Sequence, residues 1–163
     1  MRTKLILLSL IIIFGCVPPA FETPNANVEQ YKYDEECEDY PPCNAMLSIA
    51  AENWRGHHWR DAIDNYNKLF KCGCTEIKDS AGEIYKYLGY SYRQLGLYDS
   101  AAYIFDQGLK FIQEDIELLE YAGENAGKLN KVEKQIYYYD KILSFEENNL
   151  EILEMLSNVY RDR

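Results

Sequence analysis

From Met46 onward, apolar residues recur every three or four positions, the spacing of one face of an α-helix. No stretch alternates apolar and polar residues between turn signals as a half-buried strand would. The pattern breaks near residues 56–58, 72–80, 95–97, 113–115, 129–130 and 147–149. It predicts about seven helices of roughly 12 to 16 residues, paired by short turns. An all-α fold follows. In "DSAGEIY", Ser80 and Glu83 have the spacing of a capping box and are expected to open one of these helices.

Ahead of the helices the pattern changes twice. Met1-Arg2-Thr3-Lys4 carries two cations and no acid, and a run of about ten apolar residues follows from Leu5 to Phe14, too short to span a bilayer. "IIIFGC" resembles a bacterial lipobox, with aliphatic Ile13 three before Cys16 and small Gly15 directly before it. The resemblance implies a signal peptide over residues 1–15, cleavage before Cys16 and lipid on that cysteine, which would hold the chain to a membrane. Residues 16–42, rich in Pro, Asn, Glu and Tyr and without a sustained period, are expected to form an extended tether carrying cysteines.

The helical part repeats itself. In "IYKYLGYSYRQLGLYDSAAYIFDQGLKF", Tyr85, Leu88, Gly89 and Tyr92 are followed by Ala101 and Phe105. This resembles the tetratricopeptide (TPR) skeleton, a large residue, Leu-Gly and Tyr on one helix answered by Ala and Phe on the next. Gly89 lets the second helix approach, Ala101 is expected to face it, and Phe105 to plug the space one turn on. Moving 34 residues on gives Leu119, Ala122, Gly123 and Ala126, then Gln135 in the small position and Tyr139 as the plug. Moving back 39 gives Met46, Ile49 and Ala50, then Ala62 and Tyr66. Leu153, Leu156 and Tyr160 suit a closing helix, with Glu151, Glu154, Asn158 and Arg161 as its polar outer surface. The resemblance implies a TPR-type α-solenoid over 43–163, three helix pairs plus a C-terminal capping helix. The family's proline after each second helix is missing; Cys74, Gln113 and Glu147 stand there.

In this register His57 and His58 match Gly96-Leu97 and Trp59 matches Tyr98. The tandem histidine is therefore expected in a solvent-facing turn rather than a metal site, for which further ligands at suitable spacing are missing. Cys37, Cys43, Cys72 and Cys74 remain once Cys16 is assigned to lipid. An even set in an exported chain reads as two disulfides. The start of a unit's first helix and the end of its second are neighbours, so Cys37 and Cys43 are each expected to pair with one of Cys72 and Cys74. Cys37–Cys43 with Cys72–Cys74, or a four-thiolate zinc site, are the alternatives.

Catalytic patterns are absent: there is no G-x-S-x-G, Walker loop, C-x-x-C or haem-attachment motif. No enzyme, cofactor or metal is expected. The chain holds 27 acidic against 17 basic residues, a formal net charge of −10, which makes nucleic acid a poor partner. First helices of such stacks line a concave surface. Here that surface is expected to present Trp54, Arg55, Lys86, Tyr90, Arg93, Gln94 and Glu124, with Glu83, Glu120 and Lys128 beside them, a mixture suited to a peptide or protein partner. Lys86 and Arg93 alone do not make the basic and asparagine set with which some TPR grooves clamp a terminal carboxylate. Among 15 tyrosines, Tyr137-Tyr138-Tyr139 cannot all face one core. The resemblance implies an exported, lipid-anchored adaptor or scaffold binding a protein partner in a bacterial envelope assembly, periplasmic or on an outer membrane. A self-associating structural subunit is the alternative; a metal or redox protein using the histidines and cysteines is a more distant one.

Overall fold

Apolar side chains at helical spacing become seams between antiparallel helices once each helix turns its stripe toward the next. The computed structural model describes the backbone of residue 37 and of residues 39–76 and 78–161. The signal segment, Cys16 and most of the tether lie outside the described residues. Among those described, the helices are α1 (Cys43–Arg55), α2 (Trp59–Lys71), α3 (Lys78–Gln94), α4 (Tyr98–Phe111), α5 (Ile116–Lys128), α6 (Val132–Phe145) and α7 (Leu150–Arg161), with a 3-10 turn at Cys74–Glu76. No strand occurs among them. α3 starts at Lys78, inside the expected break, so Ser80 lies within the helix rather than ahead of it. The caps that do form are Asp115, whose side chain accepts from the Leu118 N–H at 2.9 Å, and Asn149, which accepts from Ile152 at 3.1 Å. They sit 34 residues apart, one repeat length, and each satisfies an otherwise orphaned helical N–H.

The turn within each pair is built the same way three times. His58, Leu97 and Lys131 donate their N–H groups to the carbonyls of Asn53, Tyr92 and Ala126 at 2.9, 3.0 and 2.9 Å. That bond closes a Schellman turn and requires a left-handed residue just before the donor. His57 (φ 61°), Gly96 (φ 75°) and Asn130 (φ 54°) occupy that place. Only one of the three is glycine. His57 adopts the strained conformation because the turn is held from both sides, and its ring lies 4.9 Å from that of Trp59.

Within a pair, the seam is a ring laid over a gap. A Cβ on Gly89 would come within 2.4 Å of Phe105, and one on Gly123 within 2.5 Å of Tyr139. The nearest atoms over Gly89 all belong to Phe105, so the plug ring, rather than the Ala101 methyl, lies directly on it. Gln135, too large for the small position it inherits, sits over Gly127, where a Cβ would meet its amide at 2.8 Å. The large-for-small exchange on α6 is thus matched by a small residue on α5.

One buried cluster joins Met46, Ala50, Ala62, Tyr66 and Leu69 of the first pair to Ile84 and Leu88 of α3. A second joins Phe105, Leu118, Leu119, Ala122, Tyr139 and Ile142 to Ile152 and Leu156 of α7, and Tyr92 packs against both. Three of the residues at repeat positions are open. Ile49 is 44% exposed, because its counterpart Leu88 is covered by the preceding pair and α1 has none among the described residues. On α7, Leu153 and Tyr160 are 42% and 54% exposed, since no described helix follows to cover them. The closing helix is polar at Glu151, Glu154 and Arg161, yet apolar along that flank. Of the tyrosine triplet, Tyr138 and Tyr139 are buried and Tyr137 is exposed.

The start of the stack is held differently. Cys37 is bonded to Cys72 and Cys43 to Cys74, with Cα–Cα distances of 5.8 and 5.5 Å. Cys37 and Cys74 are buried, and the Lys68 ammonium lies 5.9 Å from the centre of the Tyr40 ring. α1 has no side-chain N-cap; its first residue is itself cross-linked.

Two outcomes follow. Gly89→Ala forces Phe105 aside and costs about 1–3 kcal/mol in urea denaturation, whereas at Gly82 a methyl meets nothing nearer than 3.4 Å and Gly82→Ala is neutral or stabilises by up to about 1 kcal/mol. Non-reducing peptide mapping yields Cys37–Cys72 and Cys43–Cys74 peptides; four free thiols, or a Cys72–Cys74 peptide, would contradict the staple.

Candidate functional site

α1 touches α3 and α3 touches α5, so the first helices of successive pairs stand side by side and their outward positions form one surface, the concave face of such a stack. A line of rings crosses it. Trp54 of α1 lies 4.3 Å from Tyr87 and 5.7 Å from Tyr90 of α3, centre to centre. Tyr90 lies 4.9 Å from Tyr121 of α5, and Trp59 flanks Tyr90 at 5.8 Å. The rings are tilted or edge-on, as their quadrupoles favour.

Charge is interleaved with the rings. The Lys86 ammonium donates to Glu117 Oε2 at 2.7 Å and lies 3.3 Å from Asp115 Oδ2. The Tyr121 hydroxyl donates to the other Glu117 oxygen at 2.8 Å. Arg93 pairs with Glu124, its guanidinium 5.1 Å from the Tyr90 ring centre and 5.8 Å from that of Tyr121. Burial works against the charge of both Lys86 and Glu117. Their mutual hydrogen bond, with help from Asp115 on one side and Tyr121 on the other, outweighs it, holding the lysine above and the glutamate below their ordinary values. Tyr87 and Tyr121 are pushed up by burial and then by Glu117. Burial, followed by Glu124, Glu151 and Glu117, raises the Glu120 carboxyl.

Of the residues expected on this face, the structure brings together Trp54, Lys86, Tyr90, Arg93 and Glu124. Arg55 and Gln94 are exposed at the last turns of α1 and α3 and take no part in these ring and ion-pair contacts. Glu83 and Lys128 are likewise exposed, and Glu120 is half-buried. Tyr87, Tyr121, Asp115 and Glu117 were not anticipated, although Tyr87 and Tyr121, like Glu83 and Glu117, recur at the 34-residue repeat. His57 and His58 are exposed in the turn between α1 and α2. Among the described residues no group of three or more His, Cys, Asp or Glu is placed to hold a metal, and no helix is long and apolar enough to cross a membrane.

Comparison with known proteins separates sequence from shape. No family model matches the chain, and no curated protein matches it. Solved structures do. The first TPR of Spaghetti (RPAP3), bound to the HSP90 peptide SRMEEVD, superposes with a TM-score of 0.65 at 16% identity, covering 74% of this chain and 91% of that one. The first TPR domain of human RPAP3 gives 0.62 at 16% identity over 73% and 90%. The Arabidopsis OM64 TPR domain gives 0.64 at 11% identity over 74% and 96%. The fold is TPR-like. At these identities the likeness speaks for the architecture alone, an all-α solenoid of paired helices.

The Lys86–Glu117 pair sets an acid dependence. A carboxyl held low in the folded state contributes stability that is present above its unfolded pKa and lost as pH falls through the folded value. The stability gap between the wild type and Glu117→Gln, from urea titrations, is expected to be widest above the ordinary carboxylate range, at about pH 5 and higher, and to narrow as the pH falls below that range. A gap independent of pH would show that the pair contributes nothing.

Proposed function

We propose that this protein is a non-enzymatic adaptor whose concave face binds a segment of a protein partner, and that it does so in a bacterial envelope assembly to which lipid on Cys16 anchors it. The observation that carries the binding half is the ladder of Trp54, Tyr87, Tyr90 and Tyr121 across three helices, with Lys86, Arg93 and their carboxylates set into it. Such a surface combines rigid aromatic area with directional polar groups, the composition found where interfaces concentrate their energy. A fold-level neighbour, RPAP3, carries a bound peptide, which supports the same use here by analogy of architecture. The anchoring half rests on the basic, apolar and small-residue order ending at Cys16. The tether would then lift the repeat domain from the bilayer.

Self-association is a second reading, favoured by the apolar flank of α7, where Leu150, Leu153 and Tyr160 are exposed. Light scattering across a concentration series separates the two, since a constant monomer mass argues against it.

A photo-crosslinking amino acid at Gln94, beside the ladder, is expected to capture a protein partner in cells, while the same group at Lys110 on α4 captures none. Equal capture at both sites, or at neither, would overturn the binding reading. Cys16→Ser is expected to release the chain from the membrane fraction and remove acyl mass from its N-terminus; an unchanged membrane association would overturn the anchor.

A further inference from the structure

The ladder's charges are not evenly available, and this deepens the reading of the concave face as a binding site. The two cations within it are already engaged, Lys86 with Asp115 and Glu117 and Arg93 with Glu124, while Arg55 and Lys128 stand exposed at the margins of the face, outside the ladder. An acidic ligand would have to break these pairs to reach them. The carboxylates are in excess. Glu120 has no ion-pair partner among the described residues, and it stands between Glu117 and Glu124 on α5 and near Glu151 of α7, whose charges crowd it. The rings beside these acids already accept a cation, since the Arg93 guanidinium lies over both Tyr90 and Tyr121. At the α1 end, the indole N–H of Trp54, whose ring lies against Tyr87 and Tyr90, has no hydrogen-bond partner among the described residues.

We propose that the concave face is built to hold a positively charged segment of its partner, an extended stretch whose arginine or lysine side chains lie over Trp54, Tyr87, Tyr90 and Tyr121 and pair with Glu120. Acidic segments are disfavoured. The whole chain's charge of −10 steers such a segment inward. A local site and a general attraction are distinguished by where neutralising a carboxylate matters.

The experiment uses the full chain in detergent and three fluorescent peptides, alternating alanine with arginine, glutamine or glutamate. Fluorescence anisotropy is expected to show the arginine peptide binding at least tenfold more tightly than the glutamine peptide and losing affinity with added salt, with no detectable binding of the glutamate peptide. Glu120→Gln is expected to weaken the arginine peptide severalfold, and Trp54→Ala likewise, while Glu154→Gln on α7 leaves it unchanged. Circular dichroism confirms that each variant is folded. Should Glu154→Gln weaken binding as much as Glu120→Gln, the attraction is that of the acidic surface at large and the proposal falls. Equal binding of the three peptides, preference for the glutamate peptide, or no binding of the arginine peptide would each overturn it too. The broader reading is judged separately, by whether a partner cross-links at position 94.

Discussion

The architecture depends on one contact, a plug ring lying on a residue too small to fend it off. Phe105 over Gly89 and Tyr139 over Gly123 bring the two helices of a pair close enough for Leu88, Tyr92, Ala122 and Ala126 to fill the seam. Helices that share such a contact leave one stripe uncovered, and that stripe is closed only by the next pair. The stack is therefore cooperative by construction. No pair completes its own core, and the two buried clusters each span the boundary between one pair and the helix that follows.

Such a design leaves its ends exposed, and the chain treats them differently. At the first pair the small residue is Ala50 rather than glycine, and no described pair precedes α1 to cover Ile49. Two covalent bonds there draw Cys37 and the start of α1 onto the end of α2. Cross-links over 35 and 31 residues act mostly by restricting the unfolded chain, about 3–4 kcal/mol each in the chain-entropy account. At α7 no cross-link operates. Ile152 and Leu156 seal the inner side, acids cover part of the outer side, and Leu150, Leu153 and Tyr160 remain in solvent. The two ends of one solenoid thus differ in chemistry as well as in position.

On the concave face the same residues hold repeats together and form the surface offered outward. Lys86 and Arg93 of α3 reach Glu117 and Glu124 of α5, each pair bridging two units. Their partial exposure keeps each bridge to about 1 kcal/mol or less, so they orient more than they stabilise. What they decide is the sign of the remaining field. Both cations of the ladder are engaged internally, which leaves Glu120 and the rings as its unpaired groups.

The helix count, the positions of the turns, the small-residue seams and the matching of His57-His58 with Gly96-Leu97 were all legible in the sequence. Each depends on spacing within about one repeat, and helical periodicity converts spacing directly into sidedness. The proximity of the α1 start to the α2 end followed from antiparallel pairing in the same way, although which of Cys72 and Cys74 meets which partner did not. Ile49, Leu153 and Tyr160 sit at the repeat positions read for them yet stand open, because repeat position says which side a residue faces, while burial needs a neighbour on that side. The face itself was half legible. Trp54, Lys86, Tyr90, Arg93 and Glu124 stand out by type and place, but Lys86 has an acid, Glu83, within reach on its own helix as well as others on the next. Only the lateral distance between α3 and α5, set by how the cores pack, decided that it turns to Asp115 and Glu117. Local order is written in the residues along one helix; pairing between units is a property of the space between them.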